Sequence, residues 1–256
     1  MAQKYGPKIV TDGLVLCLDA ADKNSYPGSG TAATDLSGNG NNGTLNAAAV
    51  GTTASNVWSL DGTDYITVSD SSDFTFGTEP FALEAWIYFT DFSPGGDDWT
   101  CALQQFQAAN QRNGLFLFYN GASPDIEWRL ECNWGGISSG KGFYATLLDM
   151  DSYVSLNEWH LYTISRQQEA LFKRYVDGVL RDTDTTADGE TDARSVTTYE
   201  TDWPNIAGDI QIGTFATSDH HEIQGEIGPV RIYKGRALSD EEVLQNFNAQ
   251  RSRFGV

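Results

Sequence analysis

Residues 225–247 read GEIGPVRIYKGRALSDEEVLQNF, and this stretch decides the fold. Ile227, Val230, Ile232 and Tyr233 form an apolar, β-prone run. It is interrupted at Gly228-Pro229, as an edge or a bend in a strand requires. Gly235 marks a turn. A complete helix start follows. Ser239 stands at the N-cap position with Glu242 three residues on, the pattern of a capping box, and Leu238 and Val243 occupy the staple positions around it. Asp240, Glu241 and Glu242 fill the first turn, where the positive end of the helix dipole favours acids. Val243, Leu244 and Phe247 make one apolar stripe, so the spacing predicts a helix lying on another surface. Nowhere else in the chain is there a comparable helix start.

Outward from this stretch the sequence reads as strands and loops. Residues 14–18, Leu-Val-Leu-Cys-Leu, are apolar on both faces and predict an internal strand. Residues 19–53 turn to Asp, Asn, Ser, Gly and Thr, with Asn-Gly twice, which is loop chemistry. A surface loop is the favoured reading there, with calcium coordination or partner contact as the functional one. Residues 57–68 read as two short strands around Asp61-Gly62-Thr63-Asp64. Along residues 81–89, Phe81, Leu83, Ala85, Ile87 and Phe89 alternate with Glu84, Trp86 and Tyr88, so one face belongs to a core. Further strands are expected at 115–119, 126–132, 159–166, 171–176 and 210–213. Asp177-Gly178 between Val176 and Val179 is a hairpin signal. Residues 182–209 are polar and read as an insertion or loop. No internal repeat or low-complexity linker divides the chain, so one domain over residues 13–256 is expected after a lead segment at 1–12.

Five segments besides the closing stretch carry a resemblance: GLVLCLDA (13–20), LDGTDYITV (60–68), FALEAWIYF (81–89), EWHLYTISR (158–166) and RYVDGVLRD (174–182). In this order and spacing the set resembles the concanavalin A-like, laminin-G-type domains, with 225–247 similar to their closing strand and capping helix. The resemblance implies an all-β, two-sheet antiparallel jelly-roll sandwich with a short C-terminal helix. The opening, KIVTDGLVLCLDAADKNSYPGSG (8–30), also resembles the start of laminin-G-like proteins in tailed-bacteriophage particles. That implies a virion component, in capsid decoration, tail or fibre. Its expected partners are other virion proteins and host-surface glycans, and a homo-oligomer is an option.

Composition narrows the function. In 256 residues, 35 acids stand against 16 bases, for a net charge of −19. Phosphate backbones and anionic membranes attract the opposite charge, so nucleic-acid binding and membrane docking are not expected. Such a charge suits solubility and divalent cations. The N-terminus lacks the apolar core of a signal peptide, and an origin in the host cytoplasm is the expectation. Cys17, Cys101 and Cys132 are odd in number and read as buried thiols.

Catalytic patterns are weak. Asp125, Glu127, Arg129 and Glu131 alternate along one strand, neighbours on a face standing roughly 6.6 Å apart, near the carboxylate spacing of glycoside hydrolases. The resemblance brings in β-glucanases, whose paired acids share one strand, but their Glu-x-Asp-x-Glu order is missing and Arg129 interrupts the row. A charged, solvated face is the better reading, and the protein is expected not to be an enzyme. A β-glucanase-type carbohydrate-active enzyme, or its binding module, is the alternative. His160 could pair with a carboxylate, but the resemblance implies a structural histidine in a Trp-His strand start. His220-His221-Glu222 is metal-ligating in type, but adjacent strand residues point to opposite faces. No nucleophile elbow, phosphate loop or dinucleotide fingerprint occurs.

Two binding features remain. Seven tryptophans and eleven tyrosines exceed what a core needs. Sugar rings stack on aromatic faces while acids and amides bond their hydroxyls. Glu84, Trp86, Tyr88, Trp99 and Trp134 are therefore the candidate carbohydrate-binding residues, with packing as the alternative role for Trp86 and Tyr88. The resemblance also implies one calcium at the sandwich rim. Asp19, Asp61 and Asp64 match its ligands in type, with Asp97 and Asp98 as a second option.

Overall fold

The structure, a computed structural model, describes residues 7–46, 51–52, 56–61, 63–92, 99–108, 111–120, 126–134, 142–147, 150–167, 171–185, 206–214 and 223–256. Two sheets of eight strands each, every neighbouring pair antiparallel, form a sandwich. Sheet I runs in the order β14 (Val179–Thr185), β13 (Leu171–Val176), β12 (Trp159–Arg166), β7 (Phe81–Asp91), β16 (Gln224–Lys234), β5 (Trp58–Asp61) and β4 (Gly51–Thr52), and β1 (Leu14–Leu18) also pairs with β16. Sheet II runs β11 (Gly142–Leu147), β10 (Ile126–Trp134), β9 (Gln111–Asn120), β8 (Trp99–Ala108), β15 (Asp209–Ile212), β6 (Tyr65–Val68), β3 (Gly43–Asn46) and β2 (Ala32–Ala33). One helix, α1 (Asp240–Phe254), closes the chain. Among the described residues no helix is long and apolar enough to cross a membrane.

Period-2 alternation builds the core. Leu83, Ala85 and Ile87 of β7 meet Ile66 and Val68 of β6, Leu103 of β8 and Ile210 and Ile212 of β15 between the sheets. The residues between them on β7 face outward, yet they are buried as well, because α1 lies across that outer face. The Gly228-Pro229 interruption is a bulge and not an edge. Ile227 pairs with Ile87 and Val230 with Ala85, so two residues of β16 oppose the single residue Trp86. The extra residue keeps both Ile227 and Val230 pointing into the core, and it places proline in a central strand where no ladder bond is lost. Gly228 is required there for space, since a Cβ would stand 2.9 Å from both Trp86 Cβ and Phe254 Cζ.

The helix starts as its sequence dictates. Ser239 accepts from the Glu242 backbone while the Glu242 side chain accepts from Ser239 N, and Leu238 and Val243 are buried together. Lys173 and Tyr175 hold the Asp240 carboxyl below the usual range. One expectation is corrected. Leu244 is 45% exposed and does not belong to the buried stripe, whose place between Val243 and Phe247 is taken by the fully buried Asn246. The helix also continues past Phe247 to Phe254, and Gly255, in the left-handed conformation at φ 77°, ends it by donating to Arg251 O. Ser239→Ala is expected to cost about 1 kcal/mol by removing the cap; a thermal midpoint equal to wild type contradicts this.

β1 departs from the expectation of an internal strand. Among the described residues its one strand partner is β16. Its other side is covered by the loop at 35–41, whose side chains substitute for a ladder. Cys17 N donates to Asp35 Oδ1 at 2.9 Å, Asn41 Nδ2 and Ser37 Oγ donate to Val15 O, and Asn39 Nδ2 donates to Leu14 O. The polar stretch read as a loop thus finishes a sheet edge. β5 and β6 flank the turn at 61–64 but join different sheets, so that turn crosses the sandwich. At Asp177-Gly178, φ values of 55° and 76° make the expected hairpin between β13 and β14. Cys17 and Cys101 are buried, and burial pushes the Cys17 thiol up to about 11. The Cys132 side chain lies outside the described residues.

Candidate functional site

The five residues expected to bind sugar do not come together. Glu84 and Trp86 are sealed under α1 with no exposed surface, which corrects the expectation for both. Trp86 stacks on Phe254 at 4.2 Å between centroids and on Phe247 at 5.7 Å, and its Nε1 donates to Gln250 Oε1 at 3.1 Å. Glu84 accepts from Arg231 Nη1 at 3.1 Å, Asn246 Nδ2 at 2.8 Å and Thr163 Oγ1 at 3.3 Å. Burial pushes the Glu84 carboxyl up, and the Arg231 guanidinium and these donors oppose the shift. Arg231 also donates to Gln250, Asn246 Nδ2 to Tyr233 Oη at 3.1 Å, and Val10 N to Asn246 Oδ1 at 2.7 Å. This network docks the helix. It is non-local, and only the polar residues at 246 and 250 on the sheet-facing side of α1 hint at it. Trp99 and Trp134 lie on strands of sheet II, away from β7, and their side chains are outside the described residues.

The expected calcium ligands are likewise apart. Both oxygens of Asp19 accept from Arg253 Nη1, at 2.8 and 3.0 Å, so this aspartate ties the loop after β1 to the end of α1. Asp61 Oδ1 accepts from Thr63 N and Oγ1 at 3.1 and 2.8 Å. Asp64 is fully buried. Among the described residues no three His, Cys, Asp or Glu side chains gather where they would hold a metal. Asp97, Asp98, His220, His221 and Glu222 lie outside those residues, as do Asp125 and the side chains of Glu127, Arg129 and Glu131. On β10, Glu127 pairs with Tyr119 of β9, Arg129 and Glu131 pair with Thr146 and Tyr144 of β11, and the register against β9 shifts between Arg129 and Glu131.

His160 is structural, as its place at a strand start implies. Ser155 N donates to Nε2 at 3.3 Å, so Nδ1 carries the ring hydrogen and donates to Asp177 Oδ2 at 2.8 Å. Asp177 Oδ1 accepts from Leu161 N at 2.9 Å. The pair clasps the β13–β14 turn to the start of β12.

Tyr88 occupies a different setting. On the outer face of sheet I, beyond the end of α1, a depression of about 340 Å³ opens over β5, β16 and β7. Strand register assembles it. Ser59, Glu226 and Tyr88 are direct cross-strand partners in one row, and Asp61 and Gln224 pair in the next, with Thr90 beside them. A second bulge re-aims this corner. Gln224 pairs with Asp91 and Gly225 with Phe89, so Thr90 is the extra residue, and its Oγ1 donates to Gln224 O at 2.9 Å. Gly225 sits at φ 155° with room for no side chain, since a Cβ would stand 1.9 Å from Tyr88 O. Behind Tyr88, Trp159 lies 5.6 Å away between ring centroids, and Phe254 packs on Trp159 at 4.6 Å. The helix end therefore props the ring that walls the depression. The site offers one aromatic face, two carboxylates, an amide and hydroxyls. Of these only Tyr88 and Asp61 were singled out from the sequence, in separate roles. Ser59, Gln224 and Glu226 had no local signal, because only topology brings β5 beside β16.

The chain matches the model of the concanavalin A-like lectin/glucanases superfamily (Laminin_G_3) over residues 60–244, and it belongs to that family. Among solved structures it is similar to domain 4 of an extracellular GH43 arabinanase from Geobacillus stearothermophilus, in complex with arabinotriose. The TM-score is 0.60 at 14% identity, covering 92% of this chain and 98% of that one. It is also similar to the receptor-binding domain of botulinum neurotoxin mosaic serotype C/D, with a TM-score of 0.64 at 19% identity. The binding domain of Paraclostridial Mosquitocidal Protein 1 gives a TM-score of 0.61 at 18% identity. The chain spans about half of each of these two domains, 52% in both cases, while 94% and 93% of its own length is covered. No curated protein sequence matches it. At these identities the likeness is one of fold.

Proposed function

We propose that the protein is a non-enzymatic recognition module that binds glycans through the outer-face depression of sheet I, and that it works as a virion component in a capsid decoration, tail or fibre. The observation that carries the glycan reading is the depression itself: a partly exposed tyrosine ring in register with carboxylate, amide and hydroxyl side chains on a lectin-like sandwich. An aromatic floor with a few polar groups around it is what a sugar ring requires. The arabinotriose-bound neighbour supports the ligand class. The virion setting draws its support from the opening residues 8–30 and their resemblance to phage-particle proteins. The non-enzymatic reading is supported by the engagement of the buried acid–base groups, since Glu84 is ion-paired beneath α1 and both ring nitrogens of His160 are occupied. A calcium ion with Asp97 and Asp98 among its ligands is part of the same proposal.

The test is a polysaccharide panel read for both retention and new reducing ends. Retention without hydrolysis is expected. Tyr88→Ala is expected to weaken it about tenfold, a loss of about 1.4 kcal/mol, measured well below the variant's own melting midpoint, which falls because the ring also packs on Trp159, and Glu127→Gln is expected to leave it intact. Sugar release that disappears in Glu127→Gln contradicts this reading and favours the β-glucanase alternative.

A further inference from the structure

Independently of the glycan reading, we infer that Asn39 is a self-modifying site: its side-chain amide is hydrolysed without an enzyme to aspartate or isoaspartate, and the change releases the start of β1 from the loop that covers it. Asn-Gly occurs at 39–40, 42–43, 113–114 and 120–121, and the asparagine side chains of the last two lie outside the described residues. The first two stand in opposite settings. Asn39 and Gly40 are both exposed. Gly40 sits at φ 82° in open space, and its N–H meets no acceptor among the described residues. Asn42 is exposed too, but its Oδ1 accepts from Asp35 N at 2.9 Å, and Gly43 is buried in β3 between Ala33 of β2 and Val68 of β6. A Cβ at Gly43 would stand 3.0 Å from Leu18 Cδ1 and Ile66 Cγ2, so that backbone has no room to turn.

The reaction needs only water. The Gly40 backbone nitrogen gives its proton to a base and attacks Asn39 Cγ. A C–N bond forms, the Cγ–Nδ2 bond breaks, and ammonia leaves with a proton from solvent. Water then opens the succinimide ring at either carbonyl. This returns a proton to the Gly40 nitrogen and leaves an acid at position 39, on a normal or a lengthened backbone. The net change is amide plus water to carboxylate plus ammonium. Before reaction, Asn39 Nδ2 donates to Leu14 O at 3.1 Å and to Ser37 Oγ at 3.0 Å. A carboxylate there has no hydrogen to donate and turns negative charge toward a carbonyl oxygen. Asn41 and Ser37 still hold Val15 O, so the release is confined to the first residue of β1.

The experiment incubates the intact chain at mildly alkaline pH and follows both asparagines by peptide mass mapping, with thermal midpoints taken through the time course. Position 39 is expected to convert at least about tenfold faster than Asn42, which must first leave β3. In denaturant, where neither site is held, the two rates are expected to converge. The midpoint of the converted protein is expected to be about 2–4 °C lower, as in fresh Asn39→Asp, while Asn39→Gln keeps its own midpoint through the same incubation. No conversion at position 39, conversion no faster than at Asn42, or a difference that persists in denaturant overturns the site. A midpoint unmoved in both the aged wild type and Asn39→Asp, or one that falls equally in Asn39→Gln, overturns the release of β1.

Discussion

Arg231→Met is expected to destabilise the protein by about 3–5 kcal/mol, because it leaves the Glu84 carboxylate buried without its counter-ion. Both side chains are fully buried, with Nη1 and Oε2 3.1 Å apart. Water cannot reach the abandoned carboxylate, and burial already raises its pKa. Asn246 and Thr163 still donate to it, but two neutral donors do not replace a guanidinium. The loss corresponds to a midpoint about 10 °C lower, at roughly 2–4 °C per kcal/mol for a chain of this size. The double variant Glu84→Met/Arg231→Met is expected to recover a large part of the loss, since it removes both charges together and refills the space with apolar volume. A single variant that melts with wild type, or a double variant worse than the sum of the two singles, contradicts the network as described.

The second large effect is at the other end of β16. Gly225→Ala is expected to cost about 3 kcal/mol or more, through a backbone clash that no rotamer relieves. The added Cβ stands 1.9 Å from Tyr88 O at a φ of 155°, so β16 and β7 must part at the point where Thr90 bulges. The strand that moves carries Tyr88. Glycan retention is therefore expected to fall together with stability, more steeply than in Ser239→Ala, which acts at the far end of α1. A Gly225→Ala protein with wild-type melting and binding contradicts the bulge geometry.

What could be read in the sequence was local. The capping box, the staple and the alternation of β7 each lie within a few residues, and each stands in the structure as its spacing predicts. The sandwich with its C-terminal helix followed from the order of six short motifs. What could not be read depends on contacts across the chain. Glu84 looked like a surface acid because nothing beside it in the sequence announces Arg231 or Asn246, which lie 147 and 162 residues away. Trp86 looked available to a sugar because the helix that covers it starts beyond residue 239. Asp19 looked like a metal ligand because its partner, Arg253, is 234 residues distant. The inward face of α1 was legible only in part, because Asn246 and Gln250, polar residues, face the sheet and break the apolar stripe. The depression was invisible for the same reason. Ser59, Tyr88 and Glu226 belong to three segments that only the strand order of sheet I makes neighbours.

The most direct measurement is a crystal structure of the protein soaked with a bound oligosaccharide from the panel. Ligand density is expected over Tyr88, between β5 and β7 on the outer face of sheet I, with a sugar hydroxyl in contact with Asp61 or Glu226. Density confined to the outer face of sheet II, with the Tyr88 depression empty, would contradict the proposed site.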